Sequence, residues 1–287
     1  MKKTEFEIEP GVNKLPDWLE KHNFHEQIEP EKTLRLEPPK YSMKLDKESG
    51  VRNARKIIEY AIEQAQIVLE QLNEGNFQII LGGDCSILIG SSIALKQKGD
   101  FGLFFLDGHT DFVLPETSQT GGAAGMDLAI VTGHGHDKLT NILNKKPYFE
   151  EKNVFCVGNR EYDENYVRPI LESDIEYSDL KELRTKKPEN IANQFLEMVR
   201  ERDLEGFFIH LDVDVLNDNI MPAVDSREID GLTYNELLEL LKPLFSSGKA
   251  IGIEITILDP NLDRDGKFTK EFIKKFIEIL EHGKASR

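Results

Sequence analysis

Three ionisable side chains, Asp107, His109 and Asp111, recur at every second residue directly after the apolar run Gly102-Leu103-Phe104-Phe105-Leu106. An extended backbone aims such residues to one side, and a turn fans them around a point, so the spacing suits a metal ion. Alone, the motif also fits a polar strand end with one hydrogen-bonded histidine. A second acidic pair, Asp212 and Asp214 after Phe207-Phe208-Ile209-His210-Leu211, shifts the balance. Carboxylates facing the same way at the end of a buried strand repel one another unless a cation or a proton compensates. Four of them exceed what one cation neutralises. Two divalent ions about 3.5 to 4 Å apart, with a hydroxide held between them as nucleophile, satisfy the set; a solvated acidic rim is the competing reading.

The elements that must position these residues are legible in the hydrophobic pattern. Ile57, Ile58, Ala61, Ile62, Ala65, Val68, Leu69 and Leu72 recur at three- and four-residue steps, which predicts an amphipathic helix from Val51 to Asn73 ending near Gly75. Short apolar runs at Phe77 to Leu81, Phe101 to Leu106, Asn153 to Val157, Gly206 to Leu211 and Ala250 to Ile255 read as buried parallel strands. Helical patterns around Ser86 to Leu95, Ile191 to Arg200, Tyr234 to Phe245 and Phe268 to Glu281 alternate with them. The alternation predicts an α/β fold, a three-layer α/β/α arrangement with a mostly parallel doubly wound sheet. Ligands of such sheets gather beyond the carboxyl ends of the strands, where Gly82-Gly83-Asp84-Cys85-Ser86 also lies. The first 50 residues, with Glu37-Pro38-Pro39, show no sustained period and read as an irregular arm on a single domain spanning 1–287.

Composition narrows the function classes. With 39% hydrophobic residues and 21 glycines among 287, a sizeable core is available. Charge is 36 basic against 52 acidic, a net −16, which repels phosphate backbones and anionic membranes and tolerates cations. Neither nucleic acid nor a membrane is expected as a partner. No apolar run approaches a bilayer span, and the start lacks the apolar centre of a signal peptide. Cys85 and Cys156 both sit in apolar regions rather than in a spaced framework, which fits a reducing cytoplasm.

In order and spacing, across roughly residues 76 to 260, the three strand-end motifs resemble the Gly-Gly-Asp-His-Ser, Asp-Ala-His-x-Asp and Asp-x-Asp of the ureohydrolase (arginase and agmatinase) superfamily. Pro115, Gly121, Gly125, Pro222-Ala223 and Gly231-Leu232-Thr233-Tyr234 keep the family spacing too. The resemblance implies an arginase-like fold and hydrolysis of a non-peptide C–N bond in a linear amidine, guanidino-like or amide substrate. It implies that Asp107, Asp111 and Asp212 hold one metal with residue 85, and that Asp107, His109, Asp212 and Asp214 hold the other. It further implies two divalent ions, mostly manganese, a proton accepted by Asp111 as a catalytic residue, and homo-oligomers, commonly trimers or hexamers.

Several positions depart from that pattern. Cys85 stands where the family has a histidine ligand. As a thiolate it favours zinc, iron or nickel over manganese; as a small buried residue it leaves that site weak or empty. Ala124 replaces a proton-shuttling histidine, and His134 and His136 follow about ten residues later. Val113 replaces an asparagine that contacts substrate, and Asp163 matches an acidic substrate contact. Ile257, three residues before Pro260, takes the place of the guanidinium-binding glutamate. Glu254 lies at an odd offset from it, which on a strand points to the opposite face. A guanidinium buried without that carboxylate forfeits charge-assisted hydrogen bonds of about 1.5 to 3 kcal/mol each. Arginine itself is therefore disfavoured, and a pocket lined by Val113, Ala124 and Ile257 is expected for another small molecule. Two rivals remain: a catalytically inactive family member that binds a small molecule or a protein, and a covalent enzyme using Cys85 activated by His109.

Overall fold

The structure, a computed structural model, describes residues 10–284. Its six strands are β1 (Gln78–Leu81), β2 (Phe101–Leu106), β3 (Val154–Val157), β4 (Glu176–Ser178), β5 (Gly206–Asp212) and β6 (Ala250–Thr256). They form one sheet in the order β1-β6-β5-β2-β3-β4, with every neighbouring pair parallel. The five expected strands are all present. The sixth, β4, is three residues at the sheet edge carrying an exposed Glu176, too short for an apolar run to announce it.

Side chains alternate across a strand, and in the central strands both faces are apolar, so the sheet must be covered on both sides. From β2, Leu103 and Phe105 enter a core built with Ala61, Ala65 and Leu88, on the helices Ala54–Glu74 and Leu88–Lys98. Phe104 and Leu106 enter the opposite core with Phe195, Leu240 and Phe276, on the helices Pro188–Glu201, Tyr234–Ser246 and Lys267–Lys284. Three layers result, as the alternation predicts. The helix Ala54–Glu74 stops at Gly75, whose φ of 81° is the left-handed turn that glycine adopts without a Cβ clash.

Residues 11–28 depart from the expected irregular arm. Short helices at Leu15–Lys21 and Phe24–Ile28 bury Leu15, Leu19 and Phe24, and Trp18 Nε1 donates to Thr269 Oγ1 at 2.9 Å. Helices of seven and five residues make too few turns for a period to register, and tertiary packing stabilises them instead. Among the described residues, no helix is long and apolar enough to cross a membrane. Cys85 and Cys156 are both free and buried.

The strand order creates the crevice. After β2 the chain moves toward β3 and β4 at one edge; β5 returns to the other side of β2, and β6 continues away from it. The direction of winding therefore reverses between β2 and β5, where loops part beyond the carboxyl ends. Asp107 follows β2, and β5 ends in Asp212.

Candidate metal centre

Asp107 is fully buried, and its Oδ1 accepts the backbone N–H of His109 at 2.7 Å, which ties the turn after β2 to the strand end. Asp214 Oδ1 accepts the N–H of Gly108 at 3.0 Å, and Asp214 Oδ2 lies 2.9 Å from His109 Nδ1. Glycine is required at 108, because a Cβ there would stand 2.2 Å from Arg160 Nη1 and 2.8 Å from Asp214 Oδ1. Asp212 Oδ1 accepts the N–H of Asp214 at 2.8 Å, so the Asp212 carboxylate is aimed by the turn that follows β5, whereas that of Asp214 is aimed by the turn after β2. Cys85 Sγ donates to Asp212 Oδ2 at 2.9 Å and lies 3.3 Å from Thr256 Oγ1. The loop after β1 thus reaches across the end of β6. Its cap is Asp84, whose side chain accepts from Ser86 N.

Two groups of donor atoms emerge, each with all members within 4.8 Å of one another: Asp107, His109 and Asp214, and Cys85, Asp107 and His210. Asp107 belongs to both, and its Oδ2 is buried without a hydrogen-bond partner. Asp111 adopts a φ of 43° and stands close enough to Asp107 and Asp127 to feel both charges.

The electrostatics follow from burial. Burial and then Asp214 raise the Asp107 carboxyl above its usual range, against the pull of His109. Burial, with neighbouring carboxylates, pushes Asp111, Asp127 and Asp212 well up. Burial opposes a charge on His109, yet Asp214 and Asp107 hold its imidazole well above the ordinary value. For Asp214, burial is outweighed by His109, and its carboxyl is lowered. Protons or cations must fill this cluster, since so many carboxylates ionised together in one dry space is too costly. The donor set of oxygens, imidazoles and a thiol, with an orphaned carboxylate oxygen at its centre, fits divalent metals.

Two members escape sequence reasoning. Asp127, buried with both oxygens unpartnered, follows Met126 in a stretch whose short helix, Asp127–Val131, gives no period to read. His210 lies inside an apolar strand, and the signal that could have found it is its place two residues before Asp212, on the same face. Arg160 also supports the cluster from behind, its Nη2 donating to the Asp214 carbonyl at 2.6 Å.

The remaining expected residues are dispersed. Ala124 and Ile257 line a cavity of about 1770 Å³ that also passes Gly83 and Asp84; Val113 and Asp163 are not among its lining residues. Asp163 is exposed and caps the helix Glu164–Leu171, accepting from Asn165 N at 2.9 Å. Ile257 is buried with a φ of 71°, a backbone region costly for a β-branched residue. Glu254 is turned away from the cavity, its oxygens 2.6 Å from His210 Nδ1 and 2.7 Å from Ser91 Oγ. His134 pairs with Glu151, and His136 caps a short helix through Lys138 N, so both serve local structure. Burial and the surrounding carboxylates raise the Cys85 thiol well above its ordinary range, the opposite of what a thiolate nucleophile requires.

Comparison with known proteins places this geometry. The family model described as "Arginase family" matches residues 7–280. The arginase of Bacillus caldovelox is 30% identical over 77% of this chain and 74% of its own. The crystal structure of arginase from Bacillus subtilis superposes with a TM-score of 0.83 at 25% identity, covering 95% of this chain and 93% of that one. Formimidoylglutamase from Bacillus subtilis shares the fold at a TM-score of 0.72 and 20% identity, covering 98% and 84%.

Proposed function

The chain belongs to the arginase family, and on that ground we propose that it is a metal-dependent hydrolase acting on a non-peptide C–N bond of a linear amidine, guanidino-like or amide substrate, with arginine itself disfavoured by Ile257 in place of the guanidinium-binding glutamate. The observation that carries the reading is Asp107, shared by two groups of buried donors with one oxygen left unpartnered. Asp107, His109, Asp111, Asp212 and Asp214, with Cys85, would hold two divalent ions. Bound there, such ions supply Lewis acidity and lower the pKa of water so that it attacks at neutral pH. Asp111, which feels the charge of Asp107, would take the proton of the attacking water, as the family resemblance implies. Asp214 Oδ2 stands 2.9 Å from His109 Nδ1, so the neutral imidazole and the carboxylate are held together as ligands of one ion, and Arg160 fixes Asp214 in turn through its carbonyl.

Substrate choice follows from the cavity wall. Ile257 and Ala124 are on its lining and Glu254 is committed to His210, so none of these three positions supplies the guanidinium-binding carboxylate, while the same wall carries acidic groups at Asp84 and Asp225. By family resemblance we expect a cytoplasmic homo-oligomer, a trimer or hexamer, and Mn²⁺ in the harder site.

The test is a turnover screen of protein loaded with manganese, zinc, iron or nickel, reading urea or ammonia from agmatine, guanidinobutyrate, formimidoylglutamate, arginine and simple amides. Release from a non-arginine substrate is the expected result. Two bound ions without turnover of any compound would favour the inactive binding module, which Ala124 in place of a proton-shuttling histidine also favours. Less than about half an ion per chain would remove the metal reading itself.

A further inference from the structure

We propose that His210 is itself a metal ligand, so that Cys85, Asp107 and His210 form a mixed sulfur, oxygen and nitrogen site in place of the imidazole that position 85 lacks. The proposal rests on the metal-hydrolase reading above and concerns which atoms hold one of its ions.

Strand geometry puts His210 in place. It precedes Asp212 by two residues on β5 and so lies on the same face, one repeat deeper in the sheet. Register sets Phe105 of β2 opposite it on one side and Glu254 of β6 on the other. The imidazole stacks on the Phe105 ring at 4.6 Å and 9°, while Nδ1 meets Glu254 Oε1 at 2.6 Å. Glu254 Oε2 accepts from Ser91 Oγ at 2.7 Å, and Ser91 Oγ accepts from Gln64 Nε2 at 3.0 Å. Helices on one face of the sheet therefore hold the carboxylate, the carboxylate holds Nδ1, and the aromatic ring fixes the plane.

This support leaves Nε2 as the available nitrogen. His210 is fully buried and Nε2 has no partner, an unfavourable state for a polar atom with nothing to bond. With the proton drawn to Nδ1 by Glu254, the Nε2 lone pair is free to bind, and a carboxylate behind a metal-ligating histidine is a recurrent way of fixing tautomer and ring orientation. A histidine serving only the core would satisfy Nε2 with a protein atom. Here the neighbours are the Cys85 thiol and Asp107, whose Oδ2 is orphaned as well. Two unsatisfied donors and a thiol, packed within 4.8 Å, share one remedy in a cation.

The ligand set carries a selectivity. Thiolate and imidazole favour zinc or iron, whereas the carboxylates and single imidazole of the His109 group suit manganese. The protein would then carry unlike ions in its two halves.

X-ray absorption at the zinc edge of the full-length, zinc-loaded protein tests this without any substitution. The expected spectrum, for two ions per chain, has one sulfur at about 2.3 Å and scattering from two imidazoles; scattering from one imidazole overturns the proposal. His210→Gln, checked for an unchanged melting temperature of the metal-free form, should weaken zinc at one site by at least about 100-fold. It should also change the thiolate-to-metal absorption band of the cobalt-loaded protein. A variant that retains both ions with the wild-type band overturns the proposal, and if the variant does not fold the wild-type spectrum decides alone. Wild-type protein that binds no zinc, manganese or nickel overturns this inference and the hydrolase reading together, whereas two zinc ions with a single imidazole overturn only this one.

Discussion

The two halves of the centre, which share Asp107, are built on different principles. On the His109 side, backbone N–H groups of the turn after β2 aim the carboxylates, and His109 Nδ1 pairs with Asp214 at 2.9 Å. On the Cys85 side, side chains inside the sheet do the aiming: Phe105, Glu254, Ser91 and Gln64 hold His210, and Asp212 accepts from the Cys85 thiol. A turn carries its geometry within a few consecutive residues, whereas a site built into strand faces needs compensating residues on neighbouring strands. An exchange of ligand at position 85 is therefore not a local event; a histidine and a glutamate face each other on adjacent strands beneath it.

The largest effect is expected where the halves meet. Asp107→Asn keeps the shape of the residue but removes the shared charge, and metal content should fall from two ions to fewer than about half an ion per chain, with turnover down more than about 100-fold. Metal analysis of the purified variant checks this. If one half kept its ion, the sharing of Asp107 would be wrong. Glu254→Gln should separate the halves: it leaves the turn after β2 untouched, frees the tautomer of His210, and should weaken one ion by about 10- to 100-fold with the other unchanged. Calorimetric titration resolves the two affinities.

Cys85→His restores the family's ligand and asks whether selectivity resides in that one atom. Competition between manganese and zinc should shift toward manganese by about 10-fold at that site. The added volume in a fully buried position should cost about 1 to 3 kcal/mol of stability, read by denaturant unfolding. An unchanged metal preference would show that His210 and Asp107 set the preference without sulfur.

How much of this was legible beforehand tracks the same division. Asp107-Gly-His109-Thr-Asp111 and Asp212-Val-Asp214 are consecutive, so their chemistry stands out in one dimension, and the apolar runs that precede them give β2 and β5 almost to the residue. The helix Ala54–Glu74 is long enough for six turns of period. His210 carries one cue in the sequence, its place two residues before Asp212, and that cue gains meaning only with the register that sets Phe105 and Glu254 beside it. Asp127 was hidden by a helix of five residues. Glu254 reads in the sequence only as lying on the face opposite Ile257, and its partner His210 stands on the neighbouring strand β5. Asp163, expected as an acidic substrate contact, sits exposed at a helix start, where an aspartate is common for capping alone.

The smallest effect expected is on pH, and its direction tests the electrostatic account of both halves. In the folded metal-free protein, burial and mutual repulsion raise Asp107, Asp111, Asp127 and Asp212, while unfolded aspartates lose their protons near the usual pH of about 4. Above that pH the folded form binds more protons than the unfolded one, so stability falls as pH rises, by up to about 1.4 kcal/mol per pH unit for each proton retained. His109 acts in the same sense: its pKa is raised in the folded state, so its contribution is full below the ordinary imidazole value and is lost as pH climbs through the raised one. Asp214, lowered by His109, stabilises above the ordinary carboxylate range and loses that contribution only in more acid solution, outside the window of interest. From about pH 5 to 8 the melting temperature of the metal-free protein should therefore decline by several degrees. Bound metal displaces those protons and has greater affinity as they leave, so the loaded protein should hold level or rise over the same range. Parallel melting curves in chelator and in excess zinc measure both slopes. A metal-free protein that gains stability from pH 5 to 8 would mean that the carboxylates are ionised and compensated by something other than protons.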